Sequence, residues 1–514
     1  MNLRQRCQAV FQAGYEWGKT SFRRLAKKTK LSKSSAHRLY HRIARRNQHP
    51  ESSLWETEAG QDWLRLLVLA TIFVFALQGG IGCERLSQFF HLLRLQRHIG
   101  VSPTALRSLR SQIELKIIDY QRQQEQQLRT SSSQVEVCAA ADETFFDQVI
   151  LVMLDLPSGY IFVEEITEDC QFETWQEKVT QVFKPLGLTV KYLVSDRAKA
   201  IVKLALKDLG TTSIADLFHV LYNLNRSLAL ELNCLGAKLQ KQLKMQTEKR
   251  AEPELIAQIE TNQRLLQQSR LTYDNCCHRL STCLHPFALN ENRPQTTETV
   301  AMELQSILHT LQTLRQTHQL KDSRNSLRAM KNQIESLSAI VDLWWSWVDQ
   351  CLAACGCEIN LVHWVKDYLL PAAYWQQQVQ RTKNPDLRGD YQAASWKTQE
   401  FLRIHPMTMS LSSLEREQWQ HWAIWMVSKF QRCSSAVEGR NGYLSQVHHN
   451  RRGLSSNRLK VSTVIHNFAL KRTDGTTAAE RLFGRKFPDL FEYLENNRTL
   501  AKVFYGILKD LLVY

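Results

Sequence analysis

The amino-acid sequence predicts a multidomain protein that combines all-helical regions with one α/β core. Its 514 residues are too many for one ordinary domain. Strand-forming residues are concentrated in 135–219, where short β-branched and aromatic runs alternate with helical segments. Residues 1–130 and 220–433 instead have helical apolar periodicity, and a basic helical region is predicted for 434–514.

The overall composition is that of a folded protein, with 43% hydrophobic and 23% charged residues. This composition excludes extensive disorder. The net charge of +16 is concentrated at one end, because residues 1–50 carry thirteen Lys and Arg and one acidic residue, Glu16. Such a field attracts a polyanion, and we favour this interpretation over a solvated basic tail.

We expect a cytoplasmic protein with reduced thiols and no membrane anchor. The first residues contain no apolar stretch of the signal-peptide type, and the 12 cysteines are scattered. The apolar run Leu64–Leu77 contains Arg65 and is shorter than the roughly 20 residues that a membrane-spanning helix needs. We interpret this run as a buried helix.

Residues 20–46 predict two short helices joined by a tight turn, with Ser32 as the N-cap of the second helix. This pattern is typical of a helix-turn-helix, whose second helix enters the major groove of DNA. The candidate DNA-binding residues are Arg23, Arg24, Lys27, Lys28, Lys33, His37, Arg38 and Arg42. A second such unit, or a supporting bundle, is predicted around Cys83–Leu92 and a helix that Ser102 caps. A polar, Ser-rich linker is predicted for 121–134.

The strand-rich block has the order strand, strand, strand, helix, strand, helix, strand. This order predicts a mixed sheet in which parallel strands extend an antiparallel meander. The predicted strands are Val135–Phe146, Val149–Leu154, Gly159–Ile166, Val190–Val194 and Thr212–Ala215.

The helical stretch that follows has two compositional features. The charged, Gln-rich segment 240–268 predicts a solvated helical hairpin, with Pro253 starting its second helix. Nine of the 13 tryptophans lie between Trp344 and Trp425, which predicts a separate large helical core. We favour packing in that core over stacking on unpaired bases as the role of these tryptophans.

Cysteine and histidine side chains are grouped twice in the same stretch. The groups are Cys276, Cys277, His278, Cys283 and His285, and then Cys351, Cys355 and Cys357. Such side chains can bind a structural zinc, but their spacing is not that of paired Cys-x-x-Cys motifs. Buried free cysteines are common in helical cores. We therefore favour free thiols and keep zinc as the alternative.

Three acidic residues are placed where a metal site can form. Asp142 lies in the first strand, Asp196 directly follows the fourth, and Glu438 begins a helical region far downstream. Carboxylate oxygens are the ligands that magnesium and manganese prefer. Two such ions about 3.5–4 Å apart can activate an attacking water or hydroxyl and stabilise the leaving oxygen of a phosphodiester.

Other acids compete for two of these positions. Glu143 and Asp155 are alternatives for the first acid, and Glu231 and Glu480 are alternatives for the third. Glu438 is favoured because the stretch that follows it, 439–473, has seven Lys and Arg and no acidic residue. Such a basic stretch would bind the phosphates that flank a scissile bond, and Arg440, Arg451 and Arg452 are its candidate DNA contacts.

With these acids and strands, the chain resembles the DDE transposases over roughly residues 135–490. Asp216-Leu-Phe-His219 is similar to the Asp/Cys-x-x-His signature that many of them carry after the second Asp. Residues 220–433 resemble the all-helical insertion that some of them place before the catalytic Glu. Thr473–Phe483 (TDGTTAAERLF) is similar to a tail found in many bacterial insertion-sequence transposases.

The resemblance implies a ribonuclease H-like core, interrupted by the helical insertion, that cuts DNA and joins it to a target. Asp142, Asp196 and Glu438 would be catalytic and hold two Mg²⁺ or Mn²⁺ ions, with Asp216 and His219 in support. It further implies binding of double-stranded DNA by a homo-oligomer in the bacterial nucleoid. The alternatives are a non-catalytic or domesticated DNA-binding protein, and a nuclease that cuts without joining.

Overall fold

The computed structural model describes residues 3–17, 21–44, 55, 57–129, 134–451, 454–497 and 500. The described chain is mostly helical and contains one five-stranded mixed sheet. The predicted combination of α and α/β structure is therefore confirmed.

The basic N-terminal segment forms a small three-helix bundle. Its helices are α1 (Leu3–Trp17), α2 (Phe22–Thr29) and α3 (Lys33–Ala44). The Ser32 hydroxyl accepts a hydrogen bond from the Ser35 N–H at 3.1 Å, which confirms the predicted N-cap of α3. The buried core of the bundle consists of Cys7, Val10, Ala13, Leu25, Ala26, Ala36 and Leu39.

The next helical region runs from 58 to 129. Its helices are α4 (Glu58–Thr71, continued by a π-helical Ile72–Gln78), α5 (Cys83–Leu92) and α6 (Pro103–Arg129), with a 3₁₀ turn at Leu95–Arg97. The predicted linker is wrong for residues 121–129, because α6 continues through them. Gln121, Gln124 and Leu128 follow the buried face of this helix and are at most 7% exposed.

The apolar run near residue 70 buries one face in the protein. Within the described residues, Ala59–Gln78 is one helix that is long and apolar enough to cross a membrane, and half of it is buried. Leu64, Val68 and Ile72 on this helix are at most 3% exposed. The run is therefore a core helix, as predicted from the sequence.

The sheet has the strand order β3-β2-β1-β4-β5. Strands β1, β2 and β3 pair antiparallel, and β1–β4 and β4–β5 pair parallel, which confirms the predicted meander with parallel additions. The strands are β1 (Val135–Phe145), β2 (Val149–Asp155), β3 (Ile161–Thr167), β4 (Leu188–Ser195) and β5 (Thr212–Ala215). Helix α7 (Phe172–Leu186) precedes β4, and α8 (Lys199–Lys203, continued by Leu204–Asp208) precedes β5.

Residues 217–428 are helical and separate β5 from the last part of the chain. The helices are α9 (Leu217–Leu224, continued by Asn225–Ala229 and Leu230–Glu248), α10 (Pro253–Cys283), α11 (Thr297–Thr317), α12 (Ser326–Ala354), α13 (Ile359–Trp364, continued by Val365–Leu369 and Leu370–Arg381), α14 (Pro385–Ile404), α15 (Pro406–Ser410) and α16 (Ser413–Ser428). The end of α9 and the start of α10 form the predicted hairpin. The chain then continues as α17 (Ser435–Arg451), α18 (Ser456–Phe468), α19 (Ala478–Phe483) and α20 (Leu490–Glu495).

The sheet is covered on both faces, because alternate side chains of β1 enter two different cores. Cys138 and Ala140 pack with residues 217–428 and α17, whereas Ala139 and Ala141 pack with α4–α8 and α18. The tryptophan-rich core is continuous with the first of these faces. The predicted separate helical core is therefore wrong, because the apolar side chains of the strands extend the same core into the sheet.

A buried ion pair attaches α17 to the edge strand β3. The Arg440 guanidinium donates from Nε to Glu164 Oε1 at 2.5 Å and from Nη2 to Glu164 Oε2 at 2.7 Å. The Thr463 hydroxyl donates to the same carboxylate at 2.6 Å. Arg440 is 7% exposed, so its predicted contact with DNA is wrong, because both charges are enclosed in the core.

We predict that Glu164→Gln destabilises the protein by about 3–5 kcal/mol, because the substitution leaves the Arg440 charge buried and unpaired. Urea unfolding followed by tryptophan fluorescence measures the change. The control is Glu400→Gln, which removes an exposed partner of Arg403 and should leave the unfolding midpoint nearly unchanged. Equal midpoints for the two variants would contradict the anchoring role of the buried pair.

Candidate active site

Three aspartates lie in a row at one edge of the sheet, where the parallel strands end. The β1–β4 ladder ends with Ala140 opposite Val194, and Asp142 and Asp196 each lie two residues further along. The β4–β5 ladder ends with Ser195 opposite Ala215, and Asp216 directly follows. Parallel pairing alone therefore brings these residues together, since parallel strands end at the same edge.

Asp142 is held in position at both carboxylate oxygens. Its Oδ2 accepts a hydrogen bond from Asn441 Nδ2 of α17 at 2.8 Å, and its Oδ1 accepts from the Glu143 N–H at 3.0 Å. The neighbouring Glu143 side chain is directed to α7, where it accepts from Trp175 Nε1 at 3.1 Å. This geometry favours Asp142 over Glu143 as the first acid.

The other competing acids have structural partners or lie far away. Asp155 is 1% exposed and accepts from the Cys138 N–H and from both the N–H and hydroxyl of Ser158. Glu480 completes the capping box of α19 with Thr477. Glu231 lies 12 residues beyond His219 on continuous helix, roughly 18 Å along the axis.

Asp216 and His219 connect the sheet edge to Glu438. Asp216 Oδ1 caps α9 by accepting from the Phe218 N–H at 2.9 Å, and its Oδ2 accepts from the Ser434 hydroxyl at 2.5 Å. His219 Nδ1 lies 2.7 Å from Asp216 Oδ2, and its Nε2 lies 3.4 Å from Glu438 Oε1. The two ends of the helical insertion are thereby tied together, and Glu438 is brought to the site.

The charges of neighbouring acids affect the ionisation of Asp142. Burial raises the pKa of Asp142 to about 7, with further contributions from the charges of Glu438 and Asp196. Burial also raises the pKa of Glu438, although the nearby His219 acts in the opposite direction. The hydrogen bond to Asp216 raises the pKa of His219 to about 9, so this side chain is an imidazolium at neutral pH.

The donor set of the site suits a hard divalent cation, because Asp142, Asp196 and Glu438 all offer carboxylate oxygens. The three carboxylates are not arranged around a common point in the structure. No group of three or more His, Cys, Asp or Glu side chains in the described chain is arranged to hold a metal ion. Asp196, which is exposed, uses Oδ1 to accept from the Ala198 N–H at 2.8 Å.

The histidines that were candidates for binding zinc contact other protein side chains. Both ring nitrogens of the buried His285 contact tyrosine hydroxyls, those of Tyr374 and Tyr391. His278 Nε2 lies 3.0 Å from the Asp390 carboxylate. Cys276 and Cys283 are buried free thiols.

The predicted DNA contacts of the N-terminal bundle lie on or near its surface. Exposed residues are Arg23, Arg24, Lys27, Lys28, Lys33 and His37, and Arg38 is half-buried. Arg42 and Arg451 belong to α3 and α17, but their side chains lie outside the described residues, as does the whole of Arg452.

The contacts of several residues around the acids were not predicted from the sequence, including that of Asn441 with Asp142. Asn441 follows Glu438 by three residues, so helical spacing already places both on one face of α17. Exposed aromatic rings of Phe218 and Tyr222 stack beside His219, with centroids 6.1 Å apart. The guanidinium groups of Arg226 and Arg324 each lie 5.7 Å from the Tyr222 ring. Arg226 is four residues beyond Tyr222 on α9, whereas no spacing in the sequence indicates Arg324.

A family model described as a family of unknown function (DUF6399) matches residues 365–501. The matched part includes Glu438, Asn441 and the tail Thr473–Phe483, but neither Asp142 nor Asp196. No curated protein and no solved structure matches the chain.

We predict that Asp142→Asn raises the melting temperature at pH 8 in the presence of a chelator. Because the folded-state pKa of Asp142 is raised to about 7, its protonated form stabilises the fold at low pH, and this stabilisation is lost as the pH rises through 7. A difference of one in pKa between the folded and unfolded states corresponds to about 1.4 kcal/mol, so the gain should be about 2 °C or more.

Thermal melts between pH 5 and 8 measure this effect, and the gain should shrink as the pH falls. Asp169→Asn is the control of opposite sign, because hydrogen bonds from Thr174 and the Gln171 N–H lower the pKa of Asp169. An Asp142→Asn curve that follows the wild type at every pH would show that the ionised Asp142 is not destabilised by its neighbours.

Proposed function

We propose that this protein is a DNA transposase that binds the ends of a mobile element, cuts DNA and joins it to a target. The observation that carries the proposal is the placement of Asp142 and Asp196 at one edge of the sheet, with Glu438 held nearby through His219. The strand order β3-β2-β1-β4-β5 supports a ribonuclease H-like core, interrupted between β5 and α17 by the helical insertion.

Asp142, Asp196 and Glu438 are the residues that would hold Mg²⁺ or Mn²⁺, two ions in the active form. Bound there, the metal supplies activation of the attacking water or 3′-hydroxyl and stabilisation of the leaving oxygen. Asn441 holds the Asp142 carboxylate in place through one oxygen. His219 links Asp216 to Glu438 and so sets the position of the third carboxylate.

The surroundings of the acids suit a nucleic-acid substrate. Arg226 and Arg324 lie beside the exposed Tyr222 ring, which stacks on the exposed Phe218 ring next to His219. Such surfaces bind phosphates and bases. Arg451 and Arg452 are proposed to bind phosphates that flank the scissile bond.

The N-terminal bundle is proposed to recognise the element ends, with α3 in the major groove. Arg23, Arg24, Lys27 and Lys33 on its exposed faces provide charge for the DNA backbone. A homo-oligomer is part of the proposal, because two element ends must be held together before they are joined. The compartment that follows is the bacterial cytoplasm, at the nucleoid.

We predict that Asp142→Asn, Asp196→Asn and Glu438→Gln each reduce cutting of element-end DNA at least about a thousandfold. The reason is that each removes a ligand of the metal, whose contribution is several kcal/mol. Cleavage and joining are measured on gels with labelled DNA in Mg²⁺ or Mn²⁺, and binding is measured by mobility shift. Binding should persist in all three variants, since the N-terminal bundle is unchanged.

The matched control is Glu231→Gln, which removes an acid of α9 that lies at a distance from the site. This variant should cut as the wild type does. Normal cutting by any of the three site variants would remove that residue from the metal site. Cutting without joining by the wild type would identify a nuclease in place of a transposase.

A further inference from the structure

A cavity of about 560 Å³ lies between α17, α18 and the segment that follows α18. Its walls include Ala436, Gly439 and Tyr443 of α17, so it adjoins the helix that carries Glu438. The volume falls within the roughly 300–1,000 Å³ that small-molecule sites occupy. None of the residues described above for the metal site lines this cavity.

The cavity is positively charged. Its lining contains four Lys and Arg and no acidic residue. Arg440 is neutralised by Glu164, and Lys471 lies 3.7 Å from the Asp489 carboxylate. The two remaining cations, Arg472 and Arg481, form no ion pair with a carboxylate of the described residues.

Both unpaired arginines are directed at the turn between β2 and β3. Arg472 Nη1 donates to the Pro157 carbonyl at 3.2 Å. Arg481 donates to the Ser158 carbonyl from Nε at 3.0 Å and from Nη2 at 2.8 Å, and its Nη1 donates to the Thr476 carbonyl at 2.6 Å. A carbonyl satisfies the donor, and the charges of Asp474 and Glu480 offset the burial of Arg481 only in part. Burial lowers the pKa of Arg481 to about 10, and the nearby Arg472 contributes in the same direction. A bound anion would offset both the burial of the Arg481 charge and its repulsion from Arg472.

The tail Thr473–Phe483 contains Arg481 and directly follows Arg472, and its internal contacts fix the backbone around both arginines. A turn closes between Arg472 and Gly475, whose φ is +76°. A β-bridge joins Lys471 to Thr477, and Thr477 starts α19 with a capping box. The role of these contacts is to hold Arg472 and Arg481 at the cavity, which is separate from the metal site.

Most of the remaining lining is apolar, which distinguishes this cavity from a simple phosphate site. Leu77, Leu154, Ile465 and Leu470 contribute hydrophobic surface, and Tyr443 adds an aromatic ring. Gly439 leaves room, because a Cβ built there meets no atom within 4 Å. An apolar wall beside two adjacent guanidinium groups fits a flat ring that carries a phosphate.

We propose that this cavity binds a phosphorylated nucleoside, with its base against the apolar wall and its phosphate at Arg472 and Arg481. The ligand is either a free nucleotide or the 5′-phosphorylated end of a DNA strand. Binding of a strand end rests on the proposed function, because a strand end in this cavity would lie next to Glu438 on α17.

The test is calorimetric titration of the full-length protein with deoxyadenosine 5′-monophosphate, deoxyadenosine and inorganic phosphate. The nucleotide should bind at least about tenfold more tightly than either fragment, since each fragment reaches only one part of the cavity.

Arg472→Gln, which removes one charge, and Gly439→Leu, which fills the space, should each weaken nucleotide binding at least about tenfold. Lys486→Gln removes the same charge from an 83% exposed side chain nearby and should bind as the wild type does.

Parallel titrations with a short single strand, bearing a 5′-phosphate or a 5′-hydroxyl, distinguish the two sources. A strand end is the ligand if the phosphorylated strand binds more tightly than the nucleotide, and a free nucleotide is the ligand in the reverse case. The proposal is overturned if the wild type binds no nucleotide, if inorganic phosphate binds equally well, or if Arg472→Gln and Lys486→Gln bind alike. These titrations need no DNA cutting, so their failure and that of the proposed function are separable.

Discussion

The buried ion pair between Glu164 and Arg440 joins residues that are 276 positions apart in the chain. Charges in a core are tolerated only when they are paired with good geometry, so this contact gives α17 one position against β3. Glu438 lies two residues before Arg440 on the same helix and is fixed by the same contact. The hydrogen bond between Ser434 and Asp216 adds a second attachment at the start of α17. The candidate site depends on both, because its third carboxylate comes from beyond the helical insertion.

The sheet and the positions of Asp142 and Asp196 at its edge could be predicted because they depend on local patterns. Strand alternation and turn residues give the strand order, and Asp142 and Asp196 follow from their places on parallel strands.

The partner of Arg440 could not be predicted, since no local signal connects it to Glu164. The linker at 121–129 was predicted from polar composition, but Gln121 and Gln124 continue the buried face of α6. The tryptophan-rich core was assigned to a separate unit, because sequence does not show that the strands extend it.

The charges of the site and of the neighbouring cavity are complementary. On one side of α17, burial among other carboxylates raises the pKa values of Asp142 and Glu438, which suits a cation. The cavity that Gly439 lines contains unpaired arginines, which suits an anion. A nucleic-acid strand accompanied by divalent metal supplies both kinds of charge. The positive N-terminal bundle adds a third surface that favours a polyanion, at the other end of the chain.

The central claim is that Asp142, Asp196 and Glu438 together bind a divalent cation. Titration of the protein with Mn²⁺, with free ion measured by electron paramagnetic resonance, tests it without any assumption about the substrate. We expect saturable binding to the wild type at pH 8 and loss of that binding in the triple variant Asp142→Asn, Asp196→Asn, Glu438→Gln. Equal binding of Mn²⁺ by the wild type and the triple variant would contradict the account.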